Sequence, residues 1–164
     1  MSKISFKKLG AAALVLAAFG VSGSAFAASA SGTANATVLT PIAIAAGNTL
    51  EFGSFAGNGA GTVVVSAAGA RSATGSVLLI PGGTIRAGTF TVTGTGNATF
   101  AVTYPGSVNL SNGTETMALQ VAGAATGTLA SGTATVNVGG TLTVAAAQAA
   151  GSYTGTYSMT VEYN

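Results

Sequence analysis

Tyr153-Thr154-Gly155-Thr156-Tyr157-Ser158-Met159-Thr160-Val161-Glu162-Tyr163 is the stretch on which the fold turns. The large residues Tyr153, Tyr157, Met159, Val161 and Tyr163, with Gly155, share one parity, and Thr, Ser and Glu fill the other. A two-residue period of this kind describes a half-buried β-strand, because successive side chains point to opposite faces. It also separates two meanings of a chain rich in Gly, Ala, Thr, Ser and Val: low-complexity disorder leaves no such alternation, and a protein of short strands does.

Working outward, the same period recurs in Phe90 and Val92, in Phe100, Val102 and Tyr104, and in Met117, Leu119 and Val121. It returns in Val136, Val138, Leu142 and Val144, set against Thr135, Asn137, Thr141 and Thr143. Gly139-Gly140 interrupts that run and reads as a bulge or a bend where the strand changes sheets. Turn signals fall between the runs at Gly47-Asn48, Gly57-Asn58-Gly59, Pro81-Gly82-Gly83, Gly94 to Asn97, Pro105-Gly106 and Asn112-Gly113. Asn112-Gly113 is the best two-residue hairpin, since a type I′ turn needs positive φ at both central positions. No segment after the leader shows a capped helical period. The expectation is all-β: about eight short strands in an immunoglobulin-like β-sandwich, with a small barrel as the alternative.

The first 27 residues have the layout of a secretory signal. Lys3, Lys7 and Lys8 precede an apolar run from Leu9 to Phe19, and Ala25-Phe26-Ala27 offers a small-residue cleavage site. Three domains of the chain follow from this: a signal peptide over 1–27, an N-terminal extension over 28–36 and a β-sandwich over 37–164. Without the signal, Arg71 and Arg86 stand against Glu51, Glu115 and Glu162, two cations and three anions, a formal charge of −1. Two cations are too few for a nucleic-acid footprint or a polybasic membrane patch, and no later apolar run is long enough to span a bilayer.

The chain has no His, Cys, Asp or Trp. Transition-metal sites want His or Cys, calcium sites want clustered Asp, and nucleophilic triads want a base beside Ser or Cys. The expectation is therefore no enzyme, no catalytic residue, no metal and no cofactor. Paired glutamates could serve a glycosidase, but Glu51, Glu115 and Glu162 lie far apart with no motif around them. Asn35, Asn97, Asn109 and Asn112 match the glycosylation pattern, as chance provides in so Thr-rich a chain. The Thr rows read as ordinary exposed strand faces, and Arg71 and Arg86 as solvated charges at turns or edges.

From Ala28 the even positions Ala28, Ala30, Gly32, Ala34, Ala36, Val38, Ile42 and Ile44 are mostly apolar. Extended at about 3.3 Å per residue this run would reach roughly 55 Å, against about 20 Å for a common strand. A one-sided strand that overshoots its own sheet must stay disordered, fold back or complete the sheet of another molecule. Ala30, Gly32, Ala34, Ala36 and Val38 are the strand-exchange candidates, and Tyr153, Gly155, Tyr157, Met159, Val161 and Tyr163 the closing edge strand.

The segment Ala36 to Ile44, with its Val38-x-x-Pro41-Ile42, and the ending Ala149 to Tyr163, with its Gly151-x-Tyr153-x-Gly155, resemble chaperone-usher pilins. The likeness is nearest to the alternate and archaic types, and to an uncharacterised family of secreted bacterial domains carrying a domain-of-unknown-function label. It covers about a quarter of the chain; Ala stands where such pilins commonly carry larger donor residues, and the disulfide of many members is absent. The resemblance implies an incomplete immunoglobulin-like fold completed by strand exchange, a homopolymer, a periplasmic chaperone and an outer-membrane usher. It places the protein in the periplasm in transit and then in a cell-surface fibre. The alternative is a monomeric surface module that binds sugar through Tyr153, Tyr157 and the Thr faces.

Overall fold

The computed structural model describes residues 26–164, so most of the expected signal peptide lies outside the described residues. The chain divides into two units, residues 1–36 and residues 37–164. In the first, residues 26–36 are exposed and carry no strand. The second is an all-β sandwich of curled antiparallel sheets, and every strand pairing is antiparallel.

Its strands are β1 (Ala43–Ala46), β2 (Glu51–Phe52), β3 (Phe55–Val65), β4 (Arg71–Leu79), β5 (Ile85–Arg86) and β6 (Gly88–Thr93). The remainder are β7 (Thr99–Thr103), β8 (Val108–Ser111), β9 (Thr116–Gly123), β10 (Thr126–Thr128), β11 (Thr133–Val144) and β12 (Thr160–Tyr163). The expected alternations fall on β6, β7, β9 and β11, where Val92, Phe100, Val102, Met117, Leu119, Val121, Val136, Val138, Leu142 and Val144 are all buried. Each large aliphatic side chain so buried contributes about 1.5–3 kcal/mol, which is why the inward parity defines these strands.

β11 organises the larger sheet. At Val138 it pairs β6 on one edge and β9 on the other, and from Gly140 to Leu142 it pairs β3 and β9. β6 and β3 therefore share one edge of the strand in succession, and the exchange falls at Gly139. The β9 register runs through Gly139 without a shift, so the pair of glycines marks a change of partner rather than a bulge. Gly139 must be glycine because a Cβ there would collide with the Val65 carbonyl and Ala67 nitrogen, where β3 first meets the strand. β1 lies outside β6, β4 outside β3 and β8 outside β9. The sheet β10-β7-β12 adds Phe100 and Val102 to a core that also holds Leu129 and Met159.

Several expectations are corrected. Asn112-Gly113 is not a two-residue turn: Ser111 pairs Thr116 across a four-residue loop, and only Gly113 has positive φ, at 93°. The reason is the Asn112 side chain, whose Oδ1 accepts the amides of Thr114 (2.9 Å) and Glu115 (2.7 Å) and so holds a wider loop. Gly57-Asn58-Gly59 is not a turn between strands but part of a bulge inside β3, where Gly57 pairs Val77 and the next pair is Gly61 with Gly75. Arg71 is not a solvated charge: its guanidinium donates to the carbonyls of Phe52 (2.9 Å), Ser54 (3.0 Å) and Ile80 (3.1 Å). It gathers three carbonyls where β2, β3 and β4 end or begin.

Candidate functional site

The expected donor strand is absent as a strand. Ala30, Gly32, Ala34 and Ala36 are exposed and unpaired, and regular pairing begins only at Ala43. A strand needs a ladder partner for its amides and carbonyls, and alanines gain little apolar burial against the sheets of their own domain. Val38 is 95% exposed and Leu39 46% exposed, although both belong to the folded unit. Beyond them the chain is caught. Thr40 donates its amide to Thr95 Oγ1 (2.8 Å), and its carbonyl accepts the Tyr163 hydroxyl (2.6 Å). The same phenol oxygen accepts the Thr95 amide at 2.7 Å. Tyr163 thus fixes the point at which the leading segment leaves the domain.

The closing strand is shorter than its pattern. Only Thr160–Tyr163 forms a ladder, against β7, while Thr154 makes a single bridge to Ser111. Between them the parity persists without the pairing: Tyr157 is half-buried and Met159 buried, whereas Gly155 is exposed. Gly155 to Ser158 take no backbone–backbone hydrogen bond among the described residues. Tyr157 packs edge-on against Phe90, ring centroids 5.8 Å apart. Burial pushes its phenol above the ordinary tyrosine range, with Tyr104 adding to the shift, and burial raises Tyr104 likewise.

A cleft of about 1000 Å³ opens where this weakly paired segment begins. One wall is Thr49 to Asn58 with Gly83 and Thr84, another Gln148 to Gly155, and Leu110, Met117, Leu142 and Val144 on β8, β9 and β11 complete the lining. The second wall is held by side chains in place of a ladder. Gln148 Nε2 donates to Glu115 Oε2 (3.0 Å) and to the Tyr153 hydroxyl (2.9 Å). Tyr153 in turn donates to the Ala149 carbonyl (2.8 Å), and the Ala149 amide reaches Glu115 Oε2 (3.1 Å). Ala150 to Tyr153 make no backbone–backbone hydrogen bond among the described residues. Glu51 on the first wall is ion-paired to Arg86 at 2.8 Å. Since both partners are partly exposed, the pair contributes about 0–1 kcal/mol and chiefly cancels charge.

Of the residues singled out from the sequence, Tyr153 and Gly155 meet at this cleft, while Tyr157, Met159, Val161 and Tyr163 lie outside its lining. Gln148 and the facing of its segment by Thr49–Asn58 went unrecognised, and Glu51 and Glu115 were weighed only as a carboxylate pair, because neither a polar knot nor a wall built from residues about a hundred positions apart leaves a periodic trace.

An antiparallel β-sandwich with an open, largely uncharged cleft and unpaired strand edges defines the class of domain. The family described as a domain of unknown function, DUF4402, matches residues 42–163, and the chain belongs to that family. Among curated proteins, none matches the sequence.

Proposed function

We propose that the protein is an exported structural subunit of a cell-surface fibre, joining copies of itself by strand addition. One observation carries the reading. A one-sided apolar segment stays outside every sheet, with Val38 almost wholly in solvent, on a domain whose β1, β4 and β12 each have a flank without a partner among the described residues. Unpaired edges and an unpaired strand-like segment on the same chain are complementary, and each relieves the other's unmet hydrogen bonds. Joined head to tail without closing into a ring, such contacts build a fibre. A periplasmic chaperone and an outer-membrane usher would follow from the pilin resemblance, and no catalytic step belongs to the reading.

Deleting residues 28–36 tests it. The shortened chain is expected to melt as the full one does and to remain monomeric, while the chain from Ala28 onward polymerises, as followed by light scattering and negative-stain microscopy. Undiminished fibre from the shortened chain overturns the proposal. Tyr153 on the cleft wall supports a second reading, a monomeric adhesive module for sugars. A glycan array with Tyr153→Ala separates the two, since a structural subunit shows no sugar-specific signal to lose.

A further inference from the structure

A strand with a neighbour on one side only leaves a row of amides and carbonyls open, and folded domains blunt such edges by keeping them short, charged or covered. Most free edges of this domain are blunted. β1 and β10 are four and three residues long and carry no exposed large side chain. β12 carries the charged Glu162, and β2 and β5 have two residues each, joined by the Glu51–Arg86 pair. β8 is covered: Thr154 bridges Ser111, and Gly155 follows so closely that a Cβ on it would meet the Asn109 carbonyl. Gly155 to Ser158 lack backbone bonds, but their one large side chain, Tyr157, is turned onto Phe90.

β4 is the exception. It is nine residues long, is uncharged from Ser72 to Leu79, and has no strand on its outer flank among the described residues. The charge at its start is turned away, because the Arg71 guanidinium is spent on the carbonyls of Phe52, Ser54 and Ile80. From β1 onward the exposed large hydrophobic residues are Leu78 (54%), Ile80 (37%) and Ile85 (38%), two of them at the far end of this strand.

Register fixes what that end offers. The Ile80 amide donates to the Ser54 carbonyl (3.1 Å), and Leu79 lies opposite Phe55. Hydrogen-bonded and non-hydrogen-bonded pairs alternate along an antiparallel ladder, so Leu78 bonds toward β3 as Ile80 does, and Val77 and Leu79 aim their amides and carbonyls away from it. The side chains of Leu78 and Ile80 stand together on the exposed face. Such an end matches itself. Turned about a twofold axis through Leu78, it meets a second copy with Val77 opposite Leu79 and Leu79 opposite Val77, each pair exchanging two hydrogen bonds. Leu78 then faces Leu78 in the non-hydrogen-bonded pair, where side chains come closest, and Ile80 lies diagonal to the other copy's Leu78. A twofold contact sets like beside like, and an edge without charge meets no repulsion.

We propose that the Ser76–Ile80 end of β4 is a self-pairing edge that joins two copies side by side across a twofold axis. This rests on the fibre reading and goes beyond it: strand addition lengthens a fibre, and β4 pairing bundles neighbouring fibres. One contact, a few hydrogen bonds with the paired Leu78 and Ile80, is too small to hold two free copies together, so the single subunit stays monomeric. Repeated along two fibres, it acts by avidity.

Cysteine substitutions test the register, and no native cysteine competes. The Cα atoms of a non-hydrogen-bonded pair lie about 4.5 Å apart, within reach of a disulfide. In the chain from Ala28 onward, Leu78→Cys is expected to form an intermolecular disulfide about tenfold faster than Ser72→Cys, which is exposed on β4 before Gly75. Ser76→Cys mixed with Ile80→Cys is expected to give the mixed dimer in preference to either self-dimer. Equal rates for Leu78→Cys and Ser72→Cys, or self-dimers as abundant as mixed ones, overturn the inference.

Microscopy tests the bundling. Leu78→Lys sets like charges opposite each other and is expected to leave melting and fibre yield unchanged while negative stain shows single fibres in place of bundles. Mixing these fibres with fibres of Leu78→Glu is expected to restore the bundles, a rescue that lost packing within one subunit does not allow. Lysine fibres that bundle as before, or unaltered fibres that lie singly, overturn the inference. Absence of any fibre from the unaltered chain defeats strand addition instead, and the disulfides then decide β4 pairing by themselves.

Discussion

β11 and the leading segment from Ala28 to Val38 are written in the same two-residue period, yet one is the best-paired strand of the domain and the other pairs with no strand among the described residues. Their polar parities are alike, Thr and Asn in one and Ser, Thr and Asn in the other. The difference is on the apolar parity. β11 offers Val136, Val138, Leu142 and Val144, all buried, where the leading segment offers mainly Ala and Gly. Period tells which way side chains point; volume decides whether a neighbour gains enough to pair. The chain thus separates a strand that holds the fold from a segment of the same period that takes no part in its sheets.

The sharpest way to break that contrast is to shrink β11. Leu142 is 2% exposed in the core and sits in register between Val63 on β3 and Leu119 on β9. Leu142→Ala should cost about 2–5 kcal/mol, the lost transfer energy plus the cavity left behind, read as a drop in the midpoint of urea unfolding. Ala34→Ser, a polar change on the same parity of the leading segment, should leave that midpoint unmoved. Equal effects at the two sites would mean the leading segment is part of the fold.

Much of the fold was legible because β6, β7, β9 and β11 carry large residues on one parity. The longest hairpin was not. β3 joins a glycine-rich bulge, Gly57 to Gly61, to the unbroken run Val63-Val64-Val65, and neither alternates. Val63 and Val65 point into the core, while Val64 is only partly covered, a distinction that three identical side chains cannot record. The last strand failed in the opposite sense: Tyr153 to Met159 alternates, but a single bridge at Thr154 is all the pairing it finds before Thr160. Alternation reports a buried face and says nothing about the neighbour in the plane of the sheet. The cleft was hidden for a related reason: one wall mixes the buried Leu50 and Phe52 with Gly, Ser and Thr in no regular period, and the other lies far from it in the sequence.

A smaller effect tests the junction between the two regions. Tyr163 holds the Thr40 carbonyl and the Thr95 amide through one oxygen. Tyr163→Phe removes both bonds and should destabilise the domain by about 1–3 kcal/mol. Hydrogen exchange localises the change: the Thr40 and Thr95 amides should lose protection, and the amides of β9 and β11 should not. Uniform loss throughout the sheet would mean that Tyr163 acts through packing of its ring, not through the clasp.

The smallest effect comes from pH. The phenols of Tyr157 and Tyr104 are both pushed above their ordinary value of 10.0 by burial. Below about pH 9 they are protonated in folded and unfolded chains alike and lend no pH dependence. Above about pH 10 the unfolded chain releases these protons first, so the folded state binds more of them and stability falls as pH rises. The fall ends only when the folded phenols ionise too. Tyr157→Phe keeps the ring that packs on Phe90 and removes one of the two phenols raised by burial. The variant should therefore lose less stability than the unaltered chain between pH 9 and pH 11, measured by urea unfolding at each pH. An identical alkaline slope would show that Tyr157 ionises as easily in the folded chain as in the unfolded one, and that its side of the β6 sheet is open to water.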